Sequence, residues 1–325
     1  MNLLCFLVVT LSLCHFSKTQ DDKLEANATQ ATIEPDQIRV FLYTRLNTTN
    51  PDLDIPINDT EPLTNSLYNA SNSLVVIIHG FKGSANESSF LNIKDAYLGR
   101  GGWNVMLLDW SPLSKVDKYL TAVQNADHVA QWFAEFFNEM ISKNLTDSAT
   151  THLVGFSIGS HIAGLIGKRV NGTLAKIFAL DPAYPLYYRR NSNDRLDVND
   201  AEFVQVIHTS GNFISFEDSV GHVDFYPNSG KLPQPLCLHS NRGTAGMEFI
   251  SVMLCSHKIS VHYFAESVMY ENYFMAKQCP SWSDFSNKTC NSEEIPMGYA
   301  TPISARGNYY LNIVRLHNYQ DNEIR

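Results

Sequence analysis

THLVGFSIGSHIAG, residues 151–164, changes character halfway along. Its first five residues are apolar and β-branched enough to make a short buried strand, and from Ser160 onward small residues predict a helix. Between them lies the pentapeptide Gly155-Phe156-Ser157-Ile158-Gly159. A sharp strand-to-helix turn strains the backbone of its central serine and needs glycine on either side, because Cβ atoms there would strike neighbouring elements. The turn lifts a hydroxyl above the sheet beside a helix N-terminus, whose positive end favours a developing oxyanion. A glycine-flanked serine in an ordinary βα turn carries the same five letters. The strand before and the helix after tell against that reading.

Working outward, short β-branched segments alternate with amphipathic ones. The strands expected are Ile38 to Thr44, Leu74 to His79, Asn104 to Asp109, Thr151 to Gly155, Lys176 to Leu180 and Phe203 to His208. Continuous apolar runs such as SLVVIIHG and WNVMLLDW suit strands buried on both faces of a parallel sheet. Tyr119 to Ser142 repeats apolar residues at helical spacing, and Ser160 to Val170 is a second helix. Alternating strand and helix predicts an α/β fold with a mostly parallel central sheet and helices on both faces. Neither a repeat nor a linker interrupts residues 21–325, so one domain is expected there.

The chain has 325 residues, 44% hydrophobic, which is ample for one large core. A net charge of -9 leaves no basic field for nucleic acid or a strongly anionic membrane. Residues 1–20 read as a secretory signal peptide: the apolar run from Leu3 to Cys14 is too short to span a bilayer, and polar sequence follows at once. No later stretch predicts a transmembrane anchor. Cleavage would leave Cys237, Cys255, Cys279 and Cys290, which admit three pairings. Cys237–Cys255 with Cys279–Cys290 closes the shortest loops and is the pairing expected. Sequons at Asn27, Asn47, Asn58, Asn69, Asn86, Asn144, Asn171 and Asn287 agree with an oxidising, extracellular destination.

A serine hydroxyl needs a base to become a nucleophile, and the base needs a carboxylate to hold its tautomer. After such an elbow the acid and then the histidine follow in chain order. The strand KIFAL runs directly into Asp181, at the sheet edge where Ser157 stands. Asp197, Asp200, Asp218 and Asp224 are alternatives. The histidines beyond Asp181 are His208, His222, His239, His257, His262 and His317, and composition does not choose among them. His257 follows Cys255 by two residues, on a segment expected to be a disulfide-tethered loop. His208 and His222 read as structural histidines at the sheet edge.

VIIHGFKGS, NVMLLDW, YLTAVQNADHVA, HLVGFSIGSHIAG, FALDPAYP, RLDVNDAEFVQVIHTSG, GHVDFYPNSG, CSHKISVHYFAES and GNYYLNIV together resemble the animal pancreatic lipase family, including its secreted phospholipase A1 and insect neutral-lipase-like branch. The resemblance implies an α/β-hydrolase fold and a triad of Ser157, Asp181 and His257. It also implies an oxyanion hole from the backbone N–H groups of Phe81 and Ile158. No cofactor is expected for the chemistry. A structural calcium site is implied on RLDVNDA, with carboxylates from Asp197 and Asp200 and backbone carbonyls from Ser192 and Arg195, hard oxygen donors for a hard cation. The chain stops soon after GNYYLNIV, so the family's C-terminal β-sandwich is not expected.

The resemblance places a lid between Cys237 and Cys255. Here the enclosed LHSNRGTAGMEFISVML is short, as is the stretch between His208 and Gly221. Shortened walls go with phospholipase A1 activity in the family, so phospholipase A1 is the expectation, with triacylglycerol lipase second. Met247, Phe249, Ile250, Val252, Met253 and Leu254 form an apolar patch suited to a lipid–water interface. A non-catalytic yolk-type lipid-binding or storage protein is the alternative of another class; such relatives lack a triad member, and all three are present here.

Overall fold

Period-two alternation sorts each central strand's side chains between two cores. In Ser73–Ile78, Leu74, Val76 and Ile78 enter one core while Val75 and Ile77 enter the other. In Lys176–Leu180, Ile177 and Ala179 oppose Phe178 and Leu180 in the same way. Strands buried on both faces require a helical layer on each. This computed structural model, which describes residues 34–211, 213–238 and 245–317, has both layers. The signal segment, Asn27 and His239 lie outside the described residues.

The strands are β1 (Arg39–Tyr43), β2 (Leu53–Pro56), β3 (Ser73–Ile78), β4 (Trp103–Asp109), β5 (Thr151–Phe156), β6 (Lys176–Leu180), β7 (Phe203–Ile207), β8 (Val223–Pro227), β9 (Met275–Gln278), β10 (Glu294–Pro296) and β11 (Gly307–Leu311). They form one sheet in the order β10-β9-β11-β8-β7-β6-β5-β3-β4-β1-β2. From β4 through β3, β5, β6, β7 and β8 to β11 all neighbours are parallel, and antiparallel pairs close both edges. The long helices are α1 (Ser88–Arg100), α2 (Tyr119–Ser142), α3 (Ile158–Gly167) and α4 (Ala245–Met269). Helices α2 and α3 pack in one core and α1 and α4 in the other. This is the mostly parallel α/β architecture with helices on both faces that the alternation of strand and helix predicts, arranged as the α/β-hydrolase fold that the resemblance implies.

Strand order positions the site. The chain runs outward from β3 to β4, then returns to lay β5 on the other side of β3. At such a reversal the loops leaving the C-terminal strand ends diverge and open a crevice. Ser157 leaves β5 there, and His79, Gly80 and Phe81 leave β3. Both expected disulfides are formed, Cys237–Cys255 and Cys279–Cys290. One local expectation needs correcting. His257 is not on a loop: α4 runs without a break through Cys255 and His257, so a hydrogen-bonded helix as well as the disulfide fixes its backbone.

Candidate active site

Ser157 sits between strand and helix with φ 57° and ψ −120°. That conformation is costly for a residue with a Cβ, by about 1–3 kcal/mol, and persists only where surroundings enforce it. Here they do. The Ser157 N–H donates to the Leu180 carbonyl at 3.0 Å, and its own carbonyl accepts from Ala183 N–H at 3.3 Å. The two flanking glycines answer the close packing. A Cβ on Gly155 would lie 2.3 Å from the Gly159 carbonyl oxygen, and one on Gly159 2.4 Å from that of Ile78.

β5 and β6 pair Phe156 with Leu180, so the next residues, Ser157 and Asp181, leave the sheet side by side. Asp181 is fully buried and its φ is 48°, a left-handed conformation that aspartate tolerates better than most residues. Its Oδ1 accepts the Thr209 N–H at 2.6 Å and the Ser210 N–H at 3.1 Å; its Oδ2 accepts the Ser210 hydroxyl and, at 2.6 Å, His257 Nδ1. Burial pushes this carboxyl up, but the hydrogen bonds and charge of His257, with Ser210 and Thr209, outweigh it and hold the group below its usual range. A carboxylate so supplied with donors stays ionised and fixes the proton of His257 on Nδ1, leaving Nε2 as the basic nitrogen. The imidazole lies beside the Phe156 ring at a centroid separation of 4.6 Å. Ser157 Oγ does not close a hydrogen bond to the imidazole; in substrate-free hydrolases that contact is often long and tightens with ligand.

The other wall comes from β3. A Cβ on Gly80 would lie 2.8 Å from Ser157 Cβ, so this loop rests directly against the candidate nucleophile. The loop is pinned from behind. Trp110 donates its ring N–H to the His79 carbonyl at 2.8 Å and its backbone N–H to His79 Nε2 at 3.1 Å, while His79 Nδ1 donates to the Gly80 carbonyl at 2.9 Å. Phe81 follows in this loop. Ile158 is the first residue of α3, where a backbone N–H has no partner within the helix. Its side chain is fully buried.

Thr209, Ser210, His79 and Trp110 were not singled out by sequence. HTSG and HGF flagged their neighbourhoods, but no spacing rule says that two amides and a hydroxyl from β7's end would cap the acid. Among the alternative acids, Asp224 belongs elsewhere: it accepts His208 Nε2 at 2.8 Å, while His208 Nδ1 donates to the Phe216 carbonyl at 2.8 Å. Burial disfavours the His208 proton, but the hydrogen bond and charge of Asp224 prevail and raise its affinity for it. His262, pushed down to about 4 by burial, lies one turn further along α4.

Of the four expected calcium donors, the Arg195 carbonyl and the Asp200 carboxylate do come together, but on the Lys168 ammonium. Asp197 Oδ1 accepts the Asn199 side-chain N–H at 2.6 Å, and Asp200 Oδ2 accepts the Asp197 N–H at 2.7 Å. The other Asp200 oxygen is ion-paired with Lys168. Ser192 is exposed on a separate turn. Among the described residues no three His, Cys, Asp or Glu side chains are placed to hold a metal ion. With both carboxylates engaged in this way, the donor set does not fit calcium.

A family model described as Lipase matches residues 9–319. The chain is 32% identical over 269 residues to lipase member H of Oryctolagus cuniculus, covering 82% of this chain and 56% of that one. It is 31% identical to lipase member H of Danio rerio over 78% of this chain and 54% of that one. With phospholipase A1 member A of Bos taurus it shares 29% identity, over 78% of this chain and 54% of that one. It thus spans about half the length of these curated relatives. A solved esterase, PE8, aligns at a TM-score of 0.36 with 19% identity, over 46% of this chain and 74% of that one, and nothing further rests on it.

Proposed function

This chain belongs to the lipase family, and on that premise we propose that it is a secreted lipid ester hydrolase working through Ser157, His257 and Asp181. The observation that carries the proposal is the 2.6 Å hydrogen bond from His257 Nδ1 to the buried Asp181, made at the sheet edge where Ser157 holds its strained turn. Nε2 of His257 takes the Ser157 proton as Oγ attacks the ester carbonyl carbon. The N–H groups of Phe81 and Ile158 receive the negative charge that develops on the carbonyl oxygen. The ester C–O bond breaks, and the alcohol leaves with the proton held by His257. Water then attacks the acyl-serine by the same route and releases the fatty acid.

The substrate we propose is a phospholipid cleaved at its sn-1 ester. The two stretches 208–221 and 237–255 are short in sequence, which favours a cleft that admits a polar headgroup, and the bovine relative is named as a phospholipase A1. Ile250 and Leu254, exposed on the outer part of α4, offer apolar contact with a lipid surface. Export is supported by the two disulfides and by the exposure of Asn58, Asn69, Asn86, Asn144, Asn171 and Asn287. Among the described residues no helix is long and apolar enough to cross a membrane.

Phosphatidylcholine with distinguishable sn-1 and sn-2 chains, assayed beside a triglyceride emulsion, tests the substrate. Release of the sn-1 acid is expected; hydrolysis of the emulsion alone would replace the proposal with a triacylglycerol lipase. Ser157→Ala should lower kcat on the order of a millionfold. A fluorophosphonate should label Ser157, and failure to label would point to a lipid carrier instead.

A further inference from the structure

Lys168 caps the C-terminus of α3, where a cation is favoured by the helix dipole. Its ammonium donates to the Arg195 carbonyl at 3.0 Å and pairs with Asp200 Oδ1. The Asp200 side chain is only 1% exposed, so its charge depends on that partner rather than on water. Two of the donors expected for a calcium ion, the Arg195 carbonyl and the Asp200 carboxylate, are thus held by one side chain of the chain itself.

Sequence immediately before the lysine makes the approach possible. A Cβ on Gly164 would lie 2.5 Å from Asp200 Oδ2 and 2.8 Å from Leu196 Cα, and one on Gly167 would lie 2.1 Å from the Asp200 carbonyl oxygen. Only a helix face without side chains there lets the 196–200 turn come down onto Lys168. Charge balance agrees. A monovalent ammonium needs one carboxylate, and one is supplied. Asp197, which a divalent ion would also require, spends its Oδ1 on the N–H groups of Asn199.

His161, one helical turn before Gly164 on the same helix, ties the rest of this loop. Its Nε2–H donates to the Ala183 carbonyl at 2.7 Å, and its Nδ1 accepts from Leu196 N–H at 3.3 Å. The segment from Asp181 to Asp200 is therefore fastened at both ends to α3.

We propose that Lys168 is a built-in cation standing where a calcium ion would bridge the 192–200 turn, so that this chain folds without divalent metal. The wild-type protein, melted in EDTA and in millimolar CaCl2, should show the same Tm. Lys168→Ala should melt roughly 5–10 °C lower, since it strands a buried carboxylate, and calcium should restore part of that loss. Lys168→Met, whose stem fills the space, should also melt lower without responding to calcium. A wild-type Tm that rises with calcium or falls with EDTA would overturn the proposal. So would Lys168→Ala that melts like wild type, or one that loses stability yet gains nothing from calcium. If Lys168→Ala fails to fold, calorimetric titration of the wild-type chain with CaCl2 decides, heat of binding counting against the proposal and its absence for it. Lys168→Arg, with the charge kept, should then melt near wild type in either medium.

Discussion

Gly80→Ala adds one methyl group at the point where the β3 loop meets the candidate nucleophile. Its φ is not in the left-handed region, so room rather than backbone freedom is at stake. The new Cβ would lie 2.8 Å from Ser157 Cβ, 3.1 Å from the Phe156 carbonyl oxygen and 3.2 Å from Phe156 Cδ1. The first contact is about 0.6 Å short of the 3.4 Å at which ordinary van der Waals contact begins. None of these neighbours is the loose end of a flexible side chain, since Ser157 is held through Leu180 and Ala183 and the loop through Trp110. The separation between the Phe81 N–H and Ser157 Oγ must therefore grow by several tenths of an ångström. Misplacement of about 1 Å in a catalytic array costs on the order of a hundredfold, so with a shift of about 0.6 Å kcat/KM on a soluble nitrophenyl ester should fall roughly 10- to 30-fold. Overpacking should cost about 1–3 kcal/mol of stability as well. Titrating active sites with a fluorophosphonate separates slowed chemistry from loss of folded protein. A folded Gly80→Ala variant within threefold of wild type would refute this placing of the β3 loop against Ser157.

Asp181→Asn keeps the shape of the acid but replaces an ionised acceptor by an amide that cannot hold the His257 tautomer, and kcat should fall about 10⁴-fold with KM little changed; a loss under tenfold in steady-state assays would contradict the assignment. Burial pushes His152 and His161 down to about 3 and His262 to about 4, so these neutral imidazoles favour the fold fully above their unfolded pKa near 6.5 and lose that contribution as pH falls toward the folded values. His208, raised by Asp224, opposes them near and above pH 6.5, and Asp200, raised by burial to about 6, opposes them as pH falls through that value, so urea denaturation should show roughly 2–4 kcal/mol less stability at pH 5 than at pH 6.5, and a flat profile would count against the burial of these rings. Ser157→Gly relieves the strained turn whereas Ser157→Ala keeps its Cβ, so both should be inactive but the glycine variant should melt higher; the opposite order would deny that the backbone is strained.

The elbow was legible because its requirements are local. Strand, glycines and helix are contiguous in residues 151–164, and Asp181 announces itself by ending the next parallel strand. His257 was only partly legible from its surroundings. It lies inside a 25-residue helix whose apolar pattern carries no mark of a base; its place two residues after Cys255 favoured it over the other histidines, and the resemblance then singled it out. The edge strands β2, β9 and β10 are short and partly exposed, with too little alternation to stand out. Thr209 acts through its backbone amide, which any residue has, and Ser210 through its amide and a hydroxyl that no local pattern marks. The calcium expectation failed for a related reason: RLDVNDA shows its carboxylates in one window, but the cation that claims Asp200 stands 32 residues earlier, on another element.

Ser157 occupies a conformation that folding alone would not choose. Genetic drift in a descendant with no ester to cleave would therefore run downhill there, since the commonest route to a calmer backbone also erases the hydroxyl. A polypeptide that keeps serine at this position, with an imidazole and a carboxylate from two other elements around it, carries a standing handicap in thermal robustness.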